Sequence, residues 1–284
     1  MSYNKFILEK KIREFLIEDC NYTDVSSKFI NNEAQTSSRI IVKSDGYVSG
    51  LEEIKILYSL LSVSVNLLKK DADEVKKGDV IVLLNGKVKN ILLGERVGLN
   101  LITHMSSITS TVRDFVKKIN NSGKNVKIAC TRKTIPGMRI FEKKAAEYGQ
   151  ADPHRFSLDD MILLKDTHLR YYNGNVENLL KDVKKTASFT KKIEIEIEKV
   201  NDVLIAAENG ADVIMLDNMN PDMVEDAINL LKKSNLREKV IIEISGGITL
   251  ENIIDYLISE PDIISIGEIT QFPSHKMDFS LRFD

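Results

Sequence analysis

From Val126 onward, short apolar runs recur along the chain: VKIAC, MILLK, IEIEI, VIMLD, VIIEI and IISIG. Most are separated by stretches that are apolar at helical spacing, such as NVENLLKDVKKTA, VNDVLIAAENGA, PDMVEDAINLLKKS and TLENIIDYLIS. Alternation of strand and helix predicts a parallel sheet with right-handed crossovers, and about six such strands predict a closed or nearly closed α/β barrel. The chain before this region is mixed. MSYNKFILEKKIREFLIED predicts an amphipathic surface helix, SRIIVKSDGYVSG a hairpin around Asp45-Gly46, and LEEIKILYSLLSVSV a further helix. KDADEVKKGDVIVLLNGKVKNIL predicts short strands broken by Lys-Gly-Asp and Asn-Gly turns, and Glu95 to Lys118 a long helix linking the two parts.

Composition narrows the classes. With 284 residues, 43% hydrophobic and 29% charged, the chain can bury a sizeable core, enough for one large domain and a smaller one. A net charge of −2 argues against a general nucleic-acid or membrane-surface binder, so any anion site must be local. Cys20 and Cys130 are far apart and in no CxxC or Cys/His spacing, which indicates neither a disulfide framework nor a zinc site and suits a reducing cytoplasm. The N-terminus lacks the apolar core of a signal peptide, and no run approaches membrane-spanning length, so a cytoplasmic protein is expected.

The carboxyl ends of the predicted strands are polar, and in an α/β barrel these ends share the rim where active sites are built. VKIAC is followed by Arg132-Lys133, MILLK ends in Lys165 and leads to Asp166, VIMLD ends in Asp217, VIIEI leads to Ser245-Gly246-Gly247, and IISIG ends in Gly267. Adjacent cations are most often solvated surface charge. At a strand mouth, an arginine fork instead suits a carboxylate and a lysine suits phosphate oxygens. DPHRFSLDDMILLKDTHL gathers His154, Arg155, Lys165 and His168 around one strand. His168 reads equally well as structural or functional. Lys165 would bury its stem and show its ammonium to the rim.

KKIEIEIEKV alternates strictly, with Glu194, Glu196 and Glu198 on one face. On an exposed strand that face would simply be solvated. Inside a barrel the carboxylates need cations or a metal, and Glu196 with Asp217 suits Mg²⁺ and ribose hydroxyls. Two glycine turns on late strands suit a phosphate held by backbone N–H groups, although glycine after a strand often only shapes a turn. No Ser/His/Asp or Cys/His nucleophile pattern accompanies them. Together these residues describe a pocket for a planar diacid and a phosphorylated sugar.

At these residues the chain resembles the quinolinate phosphoribosyltransferase family. ERVGLN, TRKTIPGMR, HRFSLDD, LLKDTH, IEIEIE, GADVIMLDNM, SGGI and ISIGEIT occur in order over nearly the whole chain, and LIEDCNYTD is similar to the family's opening. The resemblance implies an N-terminal α/β sandwich over residues 1–105, joined by the C-terminal tail 271–284, and an incomplete, open α/β barrel over 106–270. It implies a homodimer with shared active sites, Mg²⁺ as cofactor, and quinolinate and phosphoribosyl pyrophosphate as substrates. The products would be nicotinate mononucleotide, pyrophosphate and CO₂, in de novo NAD synthesis. By motif, Arg96 matches an arginine lent by the neighbouring subunit, and Arg132, His154, Arg155 and Lys165 match residues around the quinolinate carboxylates. Lys133, Glu196 and Asp217 match those near the phosphoribosyl group and metal. Ser245, Gly246, Gly247 and Gly267 fall in the phosphate loops.

The chain departs from the family pattern at Gly149-Gln150-Ala151, where the family has a triple-glycine turn, and at Thr167 in KDTH. It also departs in SSITS around Ser107, which replaces the family's helix start, and at Thr270-Gln271-Phe272. Two alternatives stay open beside the quinolinate enzyme. One is a related phosphoribosyltransferase for another aromatic acid, including the molybdenum-transport-associated paralogue, against which Lys165-Asp166 speaks. The other is a binding paralogue without turnover.

Overall fold

A computed structural model describes residues 3–284, and the chain divides into two compact units. The first comprises Met1–Arg113, Ile135–Gln150 and Phe272–Asp284, and the second Asp114–Thr134 and Ala151–Gln271. In chain order the N-terminal elements are α1 (Lys5–Asp19), β1 (Gln35–Val42), β2 (Gly46–Tyr47), α2 (Leu51–Leu60), β3 (Ser64–Leu67), β4 (Glu74–Val75), β5 (Val80–Lys87) and α3 (Val88–Asn121). There follow β6 (Lys127–Cys130), α4 (Arg139–Tyr148), β7 (Ile162–Leu164), α5 (Asp166–Tyr171), α6 (Val176–Thr186), β8 (Ile193–Ile197), α7 (Asp202–Glu208) and β9 (Val213–Asp217). The chain ends with α8 (Pro221–Lys233), β10 (Ile241–Ser245), α9 (Ile253–Leu257), β11 (Ile263–Ile266), α10 (Glu268–Gln271) and β12 (Phe279–Phe283). No helix among the described residues is long and apolar enough to cross a membrane.

The first unit is built on an antiparallel sheet of order β12-β1-β5-β3. The C-terminal strand pairs along β1, with Ile40 opposite Leu281 and Val42 opposite Phe279, so that apolar residues of both strands fall on the buried face. The expected hairpin at Asp45-Gly46 does not form. β1 takes β5 and β12 as neighbours, and β2 pairs instead with β4 in a separate two-stranded ribbon. α1 is capped by the Asn4 side chain, which accepts from the Phe6 N–H, and it buries only Leu8 and Ile12, as an amphipathic surface helix should.

α3 starts at Val88, directly after β5, earlier than the periodicity from Glu95 indicates. SSITS therefore lies inside a helix and does not start one. Its hydroxyls join elements of the first unit: Ser106 Oγ accepts the Ser49 N–H at 2.9 Å, Ser107 Oγ accepts the Met277 N–H at 3.0 Å, and Thr109 Oγ1 donates to the Ala145 carbonyl at 2.7 Å. α4 carries three charged residues that are buried, Glu142, Lys143 and Lys144. Such burial is tolerable only with partners. Lys144 pairs with Glu53 at 2.8 Å and with Glu52, while Glu142 lies 2.8 Å from His104 Nε2 and accepts the Ile135 N–H at 3.2 Å. At the end of α4, a Cβ on Gly149 would fall 2.4 Å from Val112 Cβ, so this glycine is required by close approach. Gln150 follows with a left-handed φ of 82°.

The second unit is a parallel sheet of order β6-β11-β10-β9-β8-β7, in which all six expected strands are present. The sheet is open. β6 and β7 are its edges, and β6 is continued on its free side only by an isolated bridge from Ala129 to Asp152. All five residues of β8 are buried, because helices on one side and side chains on the other leave neither face to water. At the amino ends, Asp212 and Asp262 accept the N–H groups of Ile193 and Ile242, each at 2.7 Å. The carboxyl ends carry the cations and glycines.

Candidate active site at the carboxyl ends of the sheet

Arg132 and Lys133 follow β6 after Thr131, in a loop held by two hydrogen bonds to its carbonyls. The Thr134 N–H donates to the Arg132 carbonyl at 2.9 Å, and Thr270 Oγ1 donates to the Lys133 carbonyl at 2.8 Å. Arg132 Nε is buried and has no hydrogen-bond partner. Arg155 is 8% exposed and spends one contact, Nη1 to the Met161 carbonyl at 3.3 Å. Burial first, and then the charge of Arg132, lower its pKa. Two crowded guanidiniums with spare donors suit an anion, since a bound carboxylate would remove both the repulsion and the unmet hydrogen bonding.

Lys165 ends the β7 segment and stands at the N-cap of α5. Its Nζ lies 2.7 Å from Glu196 Oε1, with the lysine side chain 46% and the glutamate side chain 10% exposed. Asp217, at the end of the neighbouring β9, has its pKa raised by burial and by the charges of Glu196 and Glu198. Glu196 and Asp217 place carboxylates at adjacent strand ends, and carboxylate oxygen is the ligand type that hard divalent cations prefer. Glu198, expected on the inner strand face with Glu194 and Glu196, lies beyond β8 and is exposed, because the strand stops at Ile197. His168 is likewise exposed, and its Nδ1 accepts the Lys165 N–H at 2.9 Å, so it caps α5.

The glycine turns differ in what they make room for. A Cβ on Gly246 would fall 2.3 Å from Asn218 Oδ1, whereas one on Gly247 would meet nothing within 4 Å. Gly246 thus lets two loops close together, and Gly247 faces open space. A Cβ on Gly267 would sit 3.0 Å from Lys133 Cδ, so this glycine gives the lysine its course along the rim. Ser245 is in register with Asp217, and its carbonyl accepts the Asn218 N–H at 2.9 Å. Arg96 belongs to the first unit, where it is an exposed residue of α3.

Below the rim lies a group that motif spacing does not disclose. His154 Nε2 is 3.2 Å from Glu243 and 3.4 Å from Glu194, both buried, and Ser265 Oγ donates to Glu243. Burial alone would push the His154 pKa down, but hydrogen bonds and charge from Glu194 and Glu243 outweigh it and lift it from 6.5 to about 10. Glu194 is also raised, by its own burial and then by its carboxylate neighbour Glu243. Because His154 Nδ1 accepts the Arg155 N–H at 2.7 Å, the ring donates through Nε2, and the raised proton affinity belongs to the coupled cluster and not to the ring alone. The folded state thus keeps a proton that the unfolded histidine loses near 6.5. The resulting stability is complete below about pH 6.5 and is lost as pH rises through about 10. Denaturant midpoints are expected to fall between pH 7 and 10 more steeply in the native protein than in His154→Gln, and parallel curves would remove the cluster as the cause. A legible cue existed in VIIEI, where a single carboxylate interrupts an apolar strand.

The whole chain can be placed among known proteins. Residues 22–106 match the family model for the quinolinate phosphoribosyl transferase N-terminal domain, and residues 108–282 the model for its C-terminal domain. The chain is 45% identical over 243 residues to the probable nicotinate-nucleotide pyrophosphorylase [carboxylating] of Archaeoglobus fulgidus, covering 86% of this chain and 92% of that one. It is 30% identical over 271 residues to the nicotinate-nucleotide pyrophosphorylase [carboxylating] of Homo sapiens, covering 95% and 90%. The crystal structure of NadC from Streptococcus pyogenes superimposes with a TM-score of 0.91 at 30% identity, over 100% of this chain and 99% of that one. Matches to both domain models in the expected order, together with relatives aligned nearly end to end, establish that the chain belongs to the quinolinate phosphoribosyl transferase family.

Proposed function

We propose that this protein transfers the phosphoribosyl group of phosphoribosyl pyrophosphate to quinolinate and decarboxylates the adduct, giving nicotinate mononucleotide, pyrophosphate and CO₂ in de novo NAD synthesis. The observation that carries this reading is the crowded, under-satisfied pair Arg132 and Arg155, with Glu196 close to both Arg155 and Lys165. A planar dicarboxylate meets guanidinium forks through paired hydrogen bonds, so Arg132 and Arg155, with Lys165 and His154, form its side of the pocket. Lys133 and the turns at Ser245, Gly246, Gly247 and Gly267 take the phosphates. Mg²⁺, whose oxygen-ligand preference Glu196 and Asp217 fit, would supply charge neutralisation for the pyrophosphate.

In the reaction the quinolinate ring nitrogen forms a bond to the anomeric carbon as the bond from that carbon to the pyrophosphate oxygen breaks. Lys133 and Lys165 stabilise the charge leaving with pyrophosphate. The ring nitrogen, now cationic, draws in the electron pair of the bond to the adjacent carboxylate. CO₂ departs, and the ring carbon takes a proton from solvent. The protein contributes position and charge.

The reaction is tested by incubating the purified protein with Mg²⁺, quinolinate and phosphoribosyl pyrophosphate and measuring CO₂ and nicotinate mononucleotide. Turnover of nicotinate with none of quinolinate would overturn the assignment. Within that assay, Arg132→Lys is expected to raise the KM for quinolinate by about tenfold, because an ammonium cannot reproduce two parallel bonds. An unchanged KM under rapid-equilibrium conditions would remove Arg132 from the carboxylate side. The family resemblance further supports a homodimer in which Arg96 serves the partner's pocket. Mixed dimers of Arg96→Ala and Lys165→Ala subunits should then recover activity that neither parent shows, and verified mixed dimers without recovery would refute the sharing.

A further inference from the structure

Three buried polar side chains take no part in the chemistry above: Glu194 on β8, Glu243 on β10 and Ser265 on β11. They converge on one ring. Ser265 Oγ donates to Glu243 Oε1, Glu243 Oε2 lies 3.2 Å from His154 Nε2, and Glu194 Oε2 lies 3.4 Å from the same nitrogen. Both oxygens of Glu194 are buried without a hydrogen-bond partner, so its hold on the ring is the charge of the 3.4 Å ion pair. On the far edge of the ring, Nδ1 accepts the Arg155 N–H at 2.7 Å.

Donor atoms of His154, Glu194 and Glu243 lie within 4.8 Å of one another, a spacing that suits a metal ion. The hydrogen bond at Nδ1 decides against one. A neutral imidazole whose Nδ1 accepts must carry its proton on Nε2, which then donates toward the carboxylates and offers no lone pair. What the arrangement does hold is a backbone turn. His154 has φ +52°, a left-handed conformation that strains a non-glycine residue, so the turn needs support from its surroundings. The next residue is Arg155, whose guanidinium is aimed from that turn.

We infer that Glu194 and Glu243, the latter braced by Ser265, are positioning residues for the dicarboxylate pocket. They clamp the His154 ring, the ring clamps the Arg155 peptide, and the peptide sets the direction of the guanidinium. The inference rests on the reading above that Arg155 receives a quinolinate carboxylate.

Three variants and one cycle test it. Glu243→Leu, which removes the acceptor, is expected to raise the KM for quinolinate by about tenfold, the worth of one lost buried hydrogen bond, with kcat and the KM for phosphoribosyl pyrophosphate little changed. Glu243→Gln, which keeps an acceptor oxygen, should stay within about threefold of the native value. In a His154→Ala background, Glu243→Leu should raise KM no further, because Glu243 acts only through the ring. A full additional rise in that background would overturn the relay, as would an unchanged KM in Glu243→Leu when Arg155→Ala raises it. An unchanged KM in Arg155→Ala would instead overturn the pocket reading itself, and the inference with it. Should Glu243→Leu fail to fold, ring-nitrogen NMR of the native protein decides the matter, with the His154 signals identified by their loss in His154→Ala. A bare Nδ1 beside a protonated Nε2 is expected, and protons on both nitrogens, or a bare Nε2, would overturn the clamp.

Discussion

Lys165→Ala is expected to lower kcat by two to three orders of magnitude, roughly the effect of removing one preorganised charge from a site where charge develops. The protein should remain folded. The Lys165 side chain is nearly half exposed and makes one ion pair, with Glu196 at 2.7 Å, so little packing is lost. An ion pair with one exposed partner contributes at most about 1 kcal/mol once solvent screening is allowed for. Catalysis and stability therefore separate. Lys165→Met keeps the apolar stem and loses only the charge, and it should be as inactive as the alanine variant. Glu196→Gln should affect the phosphoribosyl side, and its combination with Lys165→Ala should cost less than the two single effects summed, since the residues act as a pair. Near-normal turnover by a folded Lys165→Ala protein would reduce Lys165 to a cap-position residue whose only task is to hold Glu196.

The six parallel strands were legible because a strand buried on both faces must be apolar throughout, and runs such as VIMLD and IISIG carry that mark with no need of periodicity. The polar residues that follow them were legible for the complementary reason, as charge placed where an apolar run stops. The pairing of β1 was not. Its neighbours β5 and β12 are chosen by a face-to-face fit across the length of the chain, while the local turn signal at Asp45-Gly46 belongs to a two-residue strand too short to show a period. The true start of α3 at Val88 was hidden because β5 runs into it without an intervening loop, so that VKNIL reads as a continuation of the strand region. The IEIEIE pattern placed Glu194 and Glu196 correctly on a buried strand but could not show where the strand ends, which is what separates Glu198 from them. Nor could spacing reveal that His154 turns its ring toward Glu194 and Glu243. That direction follows from a left-handed backbone at a non-glycine residue, for which the sequence holds no local signal.

The same distinction between a turn that merely bends and one that must be empty makes Gly246→Ala the more damaging of two adjacent glycine substitutions. Gly246 has φ +96°, and a Cβ there would lie 2.8 Å from the backbone nitrogen of Asn218 as well as 2.3 Å from its side-chain oxygen. The side chain can swing away, but the backbone nitrogen is held by its bond to the Ser245 carbonyl at 2.9 Å. Gly247 has φ +64° and free space around its missing Cβ, so Gly247→Ala meets only the conformational cost of about 1 kcal/mol. Gly246→Ala adds steric overlap to a similar strain and is expected to cost about 2–3 kcal/mol, a fall in Tm of roughly 5–10 °C. Forcing the loops after β9 and β10 apart also moves the N–H groups assigned to the phosphate, so the KM for phosphoribosyl pyrophosphate should rise by more than about tenfold while that for quinolinate changes less. Thermal melts and the two Michaelis constants, measured on both variants, separate the effects. Equal destabilisation by the two substitutions would show that the approach of Asn218 is not what requires Gly246, and an unchanged KM for phosphoribosyl pyrophosphate in a folded Gly246→Ala protein would move the phosphate cradle elsewhere on the rim.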